Sequence, residues 1–296
     1  MKSKHFLLTF CLFAVHLLIA QTTPNFTMRQ VKCGMEMPWE ITYGPDNAIW
    51  ATESRGYRVS RINPQTGVST VILDLSNNKN FANYPSVSPQ GGLMGLALHP
   101  NFLTGKPFVY LAYVYRYDGG AAPTGQFFKT KVVRYTYNTT AQTLTNEEVM
   151  CDTIPGSSDH NGGRMTITNV GGAPYLFYGV GDMGGGQFDN ANRRNKAQDP
   201  TSYEGKILRF NIEPDADPNA TDKWIPNDGK NTFGRAVYSI GHRNPQGLVA
   251  GLNGNLYQSE HGPYSDDELN LINGTGRNFG HPLVAVRQMA TIMVQQ

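Results

Sequence analysis

The sequence predicts an all-β fold of the β-propeller type, on three observations. The 296-residue chain is rich in glycine, with 32 residues, and has 11% aromatic but only 16% charged residues, a balance that suits many turns around a large core. Short β-rich segments alternate with polar turns, and no convincing amphipathic helical period runs through the chain after residue 20. A weak repeat also recurs along the chain, and propellers are built from repeated sheets of four strands.

The repeat consists of a polar turn, a β-rich strand and, in three copies, a carboxylate at the strand end. These copies are residues 46–53, 172–182 and 253–260, which end at Glu53, Asp182 and Glu260, and a fourth copy at residues 106–113 lacks the acid. Further strands are predicted after the copies at residues 58–63, 131–136 and 206–211, and before them at residues 92–98 and 247–250. If each copy has the same place in its blade, the carboxylates lie at one end of the domain, where propellers usually have their sites.

Residues 1–20 are predicted to be a secretion signal. A short basic region precedes an apolar run at residues 6–20, and this run is shorter than the ~20 apolar residues that a membrane span needs. The protein is therefore expected to be secreted, to the periplasm or the extracellular space, without stable membrane insertion. A membrane anchor is the alternative interpretation.

Charge and cysteine content argue against several classes of function. The formal net charge of +2 is too small to indicate nucleic acid or a membrane surface as a partner. The sequence has no C-x-x-C motif, so neither haem attachment nor thiol redox chemistry is supported. Cys33 and Cys151 remain after the signal; an oxidising compartment allows them to pair, and two free buried thiols are the interpretation left open beside it.

The first candidate loop is the basic segment of residues 242–246, His-Arg-Asn-Pro-Gln. Pro245 biases Asn244 away from the α-helical region, so the segment is predicted to be a tight loop. The side chain of Arg243 makes this loop suited to an anion.

The second candidate loop begins at Gly262-Pro263 and contains an acidic triplet that includes Asp267 and Glu268. Calcium prefers oxygen ligands from carboxylates and backbone carbonyls. Glycine tolerates most backbone conformations and proline fixes its own φ, so carbonyls can be turned outward here. The loop is predicted to suit a hard cation, with a solvated turn as the alternative.

A histidine loop, Asp-His-Asn-Gly-Gly-Arg at residues 159–164, supplies the candidate base. Histidine is the side chain best suited to general acid-base catalysis near neutral pH. Although a single loop histidine is more often a bystander, Asp159 and Asp182 offer carboxylates that can orient the ring of His160. Two other glycine-rich loops contain Gln187 and Gln90, and neither has the pattern of a phosphate-binding loop.

Several of these segments together resemble a known family, the soluble quinoprotein glucose dehydrogenases and their aldose dehydrogenase relatives (the glucose/sorbosone dehydrogenases). The motifs are GGLMGLALHPNF, DHNGGR, GVGDMGGGQ, YEGKILRFNI, GHRNPQG and SEHGPYSDDELNLI, and the likeness extends over residues 30–286. The resemblance implies a six-bladed β-propeller that binds pyrroloquinoline quinone (PQQ) and Ca²⁺. It further implies oxidation of the C1 hydroxyl of aldose sugars to lactones, with an external electron acceptor.

The resemblance also implies a role for each matching residue. His160 matches the catalytic base, Asp182 the acid that supports it, and Arg243 the arginine beside the quinone carbonyl that receives the hydride. The residues that match sugar contacts are Gln90, Asp159 and Gln187. Asn244 matches a quinone contact, the carbonyls of Gly262 and Pro263 match ligands of the Ca²⁺ that also binds PQQ, and Asp267 and Glu268 match ligands of a second, structural calcium ion.

The sequence departs from the family pattern after residue 286. Residues 287–296 do not resemble the family, so residues 21–286 are expected to form about four of the six blades, in a C-terminally truncated sugar dehydrogenase domain. Such an open ring is expected to expose sheet faces and edges. The basic residues that hold the PQQ carboxylates in the family would lie in the absent part, so residues 21–296 alone are expected to bind PQQ weakly and to oxidise sugar negligibly.

Three interpretations of function follow. The first is a PQQ- and calcium-dependent sugar dehydrogenase, by ancestry and by its site residues. The second is a non-catalytic propeller that acts as a binding protein or is a fragment, and the third is a calcium-dependent propeller of the lactonase type. The identity of the sugar and of the electron acceptor, and whether the chain forms a homodimer, are left open.

Overall fold

The computed structural model describes residues 26–78, 90–218, 220–263 and 266–283. The chain divides into two compact units, residues 1–31 and residues 32–296. The described residues of the first unit have no regular secondary structure, and all the strands belong to the second unit. The predicted signal of residues 1–20 and the tail of residues 287–296 lie outside the described residues, and the domain boundaries stay predictions. In the described ranges, no helix is long and apolar enough to cross a membrane.

The described residues of the second unit form sixteen strands in four sheets. Sheet 1 contains β1 (Pro38–Tyr43), β2 (Ile49–Glu53), β3 (Arg58–Ile62) and β4 (Ser69–Asp74), and sheet 2 contains β5 (Leu93–Leu98), β6 (Phe108–Ala121), β7 (Gly125–Asn138) and β8 (Thr143–Gly156). Sheet 3 contains β9 (Met165–Val170), β10 (Ala173–Val180), β11 (Lys206–Asn211), β12 (Val237–Ile240) and β16 (Arg277–Asn278), and sheet 4 contains β13 (Pro245–Ala250), β14 (Leu256–Glu260) and β15 (Glu268–Ile272). The strands follow one another as antiparallel neighbours, except that β16 returns and pairs in parallel with β12.

The first strands of successive sheets lie side by side. Strand β5 contacts β1 and β2 in the sheet before it and β9 in the sheet after it, and β13 contacts β9 and β10. This is the arrangement of blades in a propeller. The predictions of an all-β propeller and of about four blades are therefore confirmed.

The predicted repeat corresponds to the second strand of every sheet. Its four copies form β2, β6, β10 and β14, and the turns before β2 and β14 have the same construction. In the first turn the amide of Gly44 donates to the carbonyl of Ala48, and in the second the amide of Gly251 donates to the carbonyl of Asn255, both at 2.8 Å. Both turns contain a left-handed residue, Asn47 in the first and a glycine in the second, as tight hairpin turns require.

Each junction between neighbouring sheets has its own apolar core. The core between sheets 1 and 2 contains Trp50 and Leu111, the core between sheets 2 and 3 contains Leu176, and the core between sheets 3 and 4 contains Phe177 and Leu248. Successive residues of a strand point to opposite faces, so a strand buried on both faces is apolar in a continuous run. This explains why β10 has the sequence Tyr-Leu-Phe-Tyr rather than an alternating pattern.

The two outer sheets leave apolar side chains exposed. Ile41 and Tyr43 on β1, Val249 on β13 and Leu269 on β15 each have more than half of their surface open to solvent. These positions belong to sheets 1 and 4, the first and the last sheet along the described chain.

The two cysteines of the second unit are unpaired. Cys33 is exposed, and Cys151 is partly buried on β8. The disulfide that an oxidising compartment would allow is therefore not formed, and the alternative of two buried thiols is wrong for Cys33. Burial raises the pKa of the Cys151 thiol to about 12, so this thiol is not a reactive nucleophile near neutral pH.

Candidate active site

The candidate residues meet at the end of the domain where β5 and β13 begin. They lie on the loops that follow β8, β10, β12 and β14 and on Gln90, which precedes β5. A pocket of 620 Å³ opens there. Its lining consists of Gln90, His160, Arg243, Asn244, His261, Gly262, Pro263, Asp266 and Asp267. Loops that are far apart in the sequence thus converge on one cavity, as the repeat predicts.

The histidine loop is held by side-chain to backbone hydrogen bonds. The Asn161 side chain accepts from the amide of Ser157 at 2.9 Å and donates to the carbonyl oxygens of Ser157 and Gln90. His160 has a φ of 50°, a left-handed conformation that costs of order 1 kcal/mol or more in a non-glycine residue. At Gly162, with φ of 66°, an added Cβ would lie 2.6 Å from the carbonyl oxygen of Gly179, so this position requires glycine.

His160 and Asp182 form a buried pair. The Nδ1 atom of His160 lies 2.7 Å from Oδ1 of Asp182, and the two residues are 5% and 1% exposed. Because Asp182 is acceptor-only when ionised, Nδ1 carries the proton and donates it. The Nε2 atom then has the lone pair, and it lies 3.7 Å from Oδ2 of Asp159. A ring oriented in this way can accept a proton at Nε2.

Asp182 is ionised although it is buried. Burial by itself raises the pKa of its carboxyl group, but hydrogen bonds from His160 and His281 and the charge interactions with both rings outweigh it and lower the pKa to about 2. The amide of Gly184 and the Nδ2 atom of Asn195 also donate to the carboxylate, at 3.0 Å and 2.8 Å. A carboxylate with this environment can stabilise an imidazolium without taking its proton.

The basic loop places one cation and one amide at the pocket. Arg243 is 7% exposed; its Nη2 donates to Oε1 of Gln187 at 3.1 Å and its Nη1 to the carbonyl of His261 at 3.2 Å. Asn244 donates from Nδ2 to Oε1 of Gln90 at 3.2 Å. The structure therefore places two hydrogen-bonded pairs beside His160, one of Asn244 with Gln90 and one of Arg243 with Gln187.

Gln187 also touches the candidate base. Its Nε2 lies 3.2 Å from Nδ1 and 3.4 Å from Nε2 of His160. With Asp159 next to the same ring, two of the three residues predicted to hold the sugar lie beside the ring of His160.

The loop after β14 contributes backbone to the pocket. Asp267 accepts from the amide of Gly262 at 3.1 Å and lies 3.1 Å from Nδ1 of His261. The backbone hydrogen bond from Gly262, followed by His261, lowers the pKa of the Asp267 carboxyl group. Gly262, Pro263 and Asp267 all line the pocket, so these three predicted metal-site residues lie together.

Glu268 is in a different environment from Asp267. It is the first residue of β15 and pairs with Glu260 of β14, and Nδ2 of Asn270 donates to its Oε2 at 3.0 Å. Burial, with the nearby charge of Glu260, raises the pKa of the Glu268 carboxyl group. It does not line the pocket. Among the described residues there is no cluster of three or more His, Cys, Asp or Glu side chains that could hold a metal, so a metal in the pocket would depend largely on backbone carbonyls.

Three residues that contact the candidate residues were not assigned a role from the sequence. His281 and Asn195 both contact Oδ2 of Asp182, each at 2.8 Å. Gln246 donates from Nε2 to Oε1 of Gln90 at 3.3 Å. Gln246 lies in the basic segment of residues 242–246, whereas Asn195 and His281 lie outside the candidate loops, and the fold alone brings these two to Asp182.

The comparison with known proteins agrees with this fold. The family model described as glucose/sorbosone dehydrogenase matches residues 35–291, and the chain belongs to this family. The chain is 34% identical over 274 residues to quinoprotein glucose dehydrogenase B of Acinetobacter calcoaceticus, covering 88% of this chain and 53% of that protein. It is 28% identical over 289 residues to the aldose sugar dehydrogenase YliI of Escherichia coli K12, covering 95% of this chain and 68% of that protein.

A solved structure supports the same assignment. The PQQ-bound form of the aldose sugar dehydrogenase from Streptomyces coelicolor matches with a TM-score of 0.66 and 26% identity, over 89% of this chain and 68% of that one. The chain thus spans between half and about two thirds of the length of these relatives.

Proposed function

We propose that the protein is a PQQ- and calcium-dependent oxidoreductase that oxidises the C1 hydroxyl of an aldose sugar to a lactone. One observation carries the proposal: a histidine whose Nδ1 is bound to an ionised, buried aspartate at 2.7 Å lies in a pocket that also contains a buried arginine. A base, its orienting carboxylate and a fixed cation are the groups that removal of a proton and a hydride from an alcohol requires.

The pocket residues fit the quinone and the metal. The volume of 620 Å³ falls in the range of ~300–1,000 Å³ typical of small-molecule sites. Arg243 would supply a cation that can stabilise negative charge on the reduced quinone, and Asn244 would supply an amide for a further hydrogen bond. The carbonyl oxygens of Gly262 and Pro263 are of the ligand type that Ca²⁺ prefers.

The residues of this chain have separate tasks in the reaction. When bound, PQQ would supply the acceptor for the hydride, which carries both electrons away from C1 of the sugar. His160 takes the proton of the anomeric hydroxyl at Nε2 as the C1–O double bond forms. Asp182 holds the ring at Nδ1 and stabilises the imidazolium that results, while Asp159 and Gln187 hold the sugar hydroxyls beside Nε2.

The remaining parts of the proposal concern location and partners. The N-terminal pattern supports secretion, to the periplasm or the extracellular space, where an aldose and an external electron acceptor would be met. Asp267 and Glu268 are proposed to bind a second, structural calcium ion. Nucleic acid is not proposed as a partner, because the net charge is only +2.

The test is an assay of dye reduction, carried out with the full-length protein that the transcript encodes. Glucose-dependent reduction of an artificial electron acceptor is expected only when both PQQ and Ca²⁺ are added, with a lactone as the product. Sugar-dependent reduction without quinone would contradict the cofactor. Lactone hydrolysis without any dye reduction would instead support the lactonase alternative.

A further inference from the structure

The two carboxylate oxygens of Asp182 accept hydrogen bonds from different donors. The inner oxygen, Oδ1, accepts from Nδ1 of His160 at 2.7 Å and from the amide of Gly184 at 3.0 Å. The outer oxygen, Oδ2, is 2.8 Å from both Nδ2 of Asn195 and Nε2 of His281. Because an ionised carboxylate offers about four lone-pair positions, these four donors saturate it and fix its rotation.

The contact determines which nitrogen of His281 is protonated. A lone pair on Nε2 would face a negatively charged oxygen at 2.8 Å, so Nε2 carries the hydrogen and donates it to Oδ2. Asn195 Nδ2 lies 3.1 Å from the same nitrogen and directs its own hydrogen to Oδ2. Asn195, in the loop after β10, and His281, which follows β16, thus donate to the same oxygen.

Two hydrogen bonds hold the backbone of His281 in place. Its amide donates to the carbonyl of Gly241 at 3.0 Å, and its own carbonyl accepts from Nε2 of Gln198 at 2.7 Å. Strand β16 precedes it and pairs with β12, which ends just before Gly241. The parallel return of β16 is therefore what brings His281, 99 residues further along the chain, against Asp182.

We infer that His281 is a positioning residue: together with Asn195 it holds the outer oxygen of Asp182, so that the inner oxygen stays directed at Nδ1 of His160. The ring of His160 is then kept with its proton on Nδ1 and its lone pair on Nε2. His281 does not pass a proton along, because Asp182 remains a carboxylate between the two rings. The role in catalysis rests on the proposed function, whereas the positioning itself does not.

The test measures directly which nitrogen of each histidine ring is protonated, in the protein without cofactor or sugar. With ¹⁵N-labelled histidine, long-range ¹H–¹⁵N spectra show which nitrogen of each ring is protonated and how fast that proton exchanges with water. His281→Gln retains an N–H donor, and His281→Leu removes it. We expect the unaltered protein and His281→Gln to show a slowly exchanging Nδ1 proton on His160, and His281→Leu to show fast exchange or a mixture of tautomers.

His99 provides an internal control. Its Nδ1 accepts from the amide of Asn101 at 2.9 Å, so its tautomer should not change in either variant. An unchanged tautomer and exchange rate of His160 in His281→Leu would overturn the inference. If that variant does not fold, the unaltered protein still decides the matter, because an Nδ1-protonated His281 would exclude the hydrogen bond to Asp182.

The same variants separate this inference from the proposed function. In the quinone-loaded full-length protein, His281→Leu should lower kcat more than it changes KM, and His281→Gln should restore most of the rate. Altered ring spectra without any sugar oxidation, even in the unaltered protein, would leave the positioning intact and refute the proposed function.

Discussion

Replacing Asp182 by asparagine perturbs both the stability and the chemistry of the site. The carboxylate accepts four N–H donors, whereas an amide has one oxygen and turns an NH₂ group toward the remaining donors. Where the NH₂ group takes the position of Oδ1, the ring of His160 must accept at Nδ1 and carry its proton on Nε2. In that tautomer it cannot serve as the base.

The size of the effect on stability follows from the pKa of Asp182. Burial raises this pKa, but the bonds from His160 and His281 prevail and lower it from the ordinary value of 3.8 to about 2. At about 1.4 kcal/mol for each tenfold change in proton affinity, ionised Asp182 stabilises the folded state by about 2 kcal/mol. In Asp182→Asn, N–H donors would also face the NH₂ group of the asparagine. This adds roughly 1–3 kcal/mol to the loss of stability.

The pH dependence has a definite sign. Because the folded-state pKa is depressed, the stabilisation is fully present above pH 3.8 and is lost as the pH falls from 3.8 toward 2. The difference in unfolding free energy between the unaltered protein and Asp182→Asn should therefore be larger at pH 5, where Asp182 is ionised, than near pH 2. It should shrink below pH 4.

Denaturant unfolding, followed by circular dichroism at several pH values, measures this difference. Asp152 is exposed on β8, away from the site, and Asp152→Asn is the matched control, expected within about 0.5 kcal/mol of the unaltered protein. An effect of Asp182→Asn at pH 5 no larger than that of the control, or a loss of stability in this variant that grows as the pH falls from 4 toward 2, would refute the reasoning.

Three further predictions concern the base, the metal and a buried ion pair. His160→Ala should lower kcat by ~10²-fold or more while the fold and quinone binding persist; near-normal turnover would refute its role. Chelation should lower the melting temperature, Ca²⁺ should restore it and Mg²⁺ should do so poorly, because Ca²⁺ would bind only the folded loop after β14; a melting curve indifferent to chelator would count against the metal. Arg193→Met should cost about 3–5 kcal/mol, because Glu204, whose Oε1 accepts from Arg193 at 3.0 Å, would stay buried and unpaired, whereas removing the exposed Arg58 partner of Asp74 should cost at most about 1 kcal/mol.

The architecture was predictable because its turns repeat in the sequence. A polar turn before a β-rich strand recurs in each sheet, and the turns that begin at Gly44 and Gly251 close with the same hydrogen bond. The order of the strands within a blade follows from this repeat, since neighbouring strands of a meander pair with each other. The grouping of the His160, Asp182 and Arg243 loops at one end follows for the same reason.

The contacts made between elements were not predictable in this way. His281 reaches Asp182 only because β16 pairs in parallel with β12, and a two-residue strand leaves almost no periodic pattern to recognise. The separation of Asp267 from Glu268 is also a property of the strand, because β15 begins at Glu268 and its side chain turns toward Glu260. Such placements depend on register and packing, which local sequence does not contain.

The most direct test of the account is a single turnover of the quinone-loaded, full-length protein with glucose deuterated at C1. Stopped-flow absorbance of the bound quinone should show a slower reduction with the deuterated sugar, because the C1–H bond breaks in that step. In His160→Ala the same step should be slower by ~10²-fold or more, with quinone still bound. Reduction that is insensitive to deuterium and unchanged in His160→Ala would contradict the assignment of His160 as the base that removes the anomeric proton.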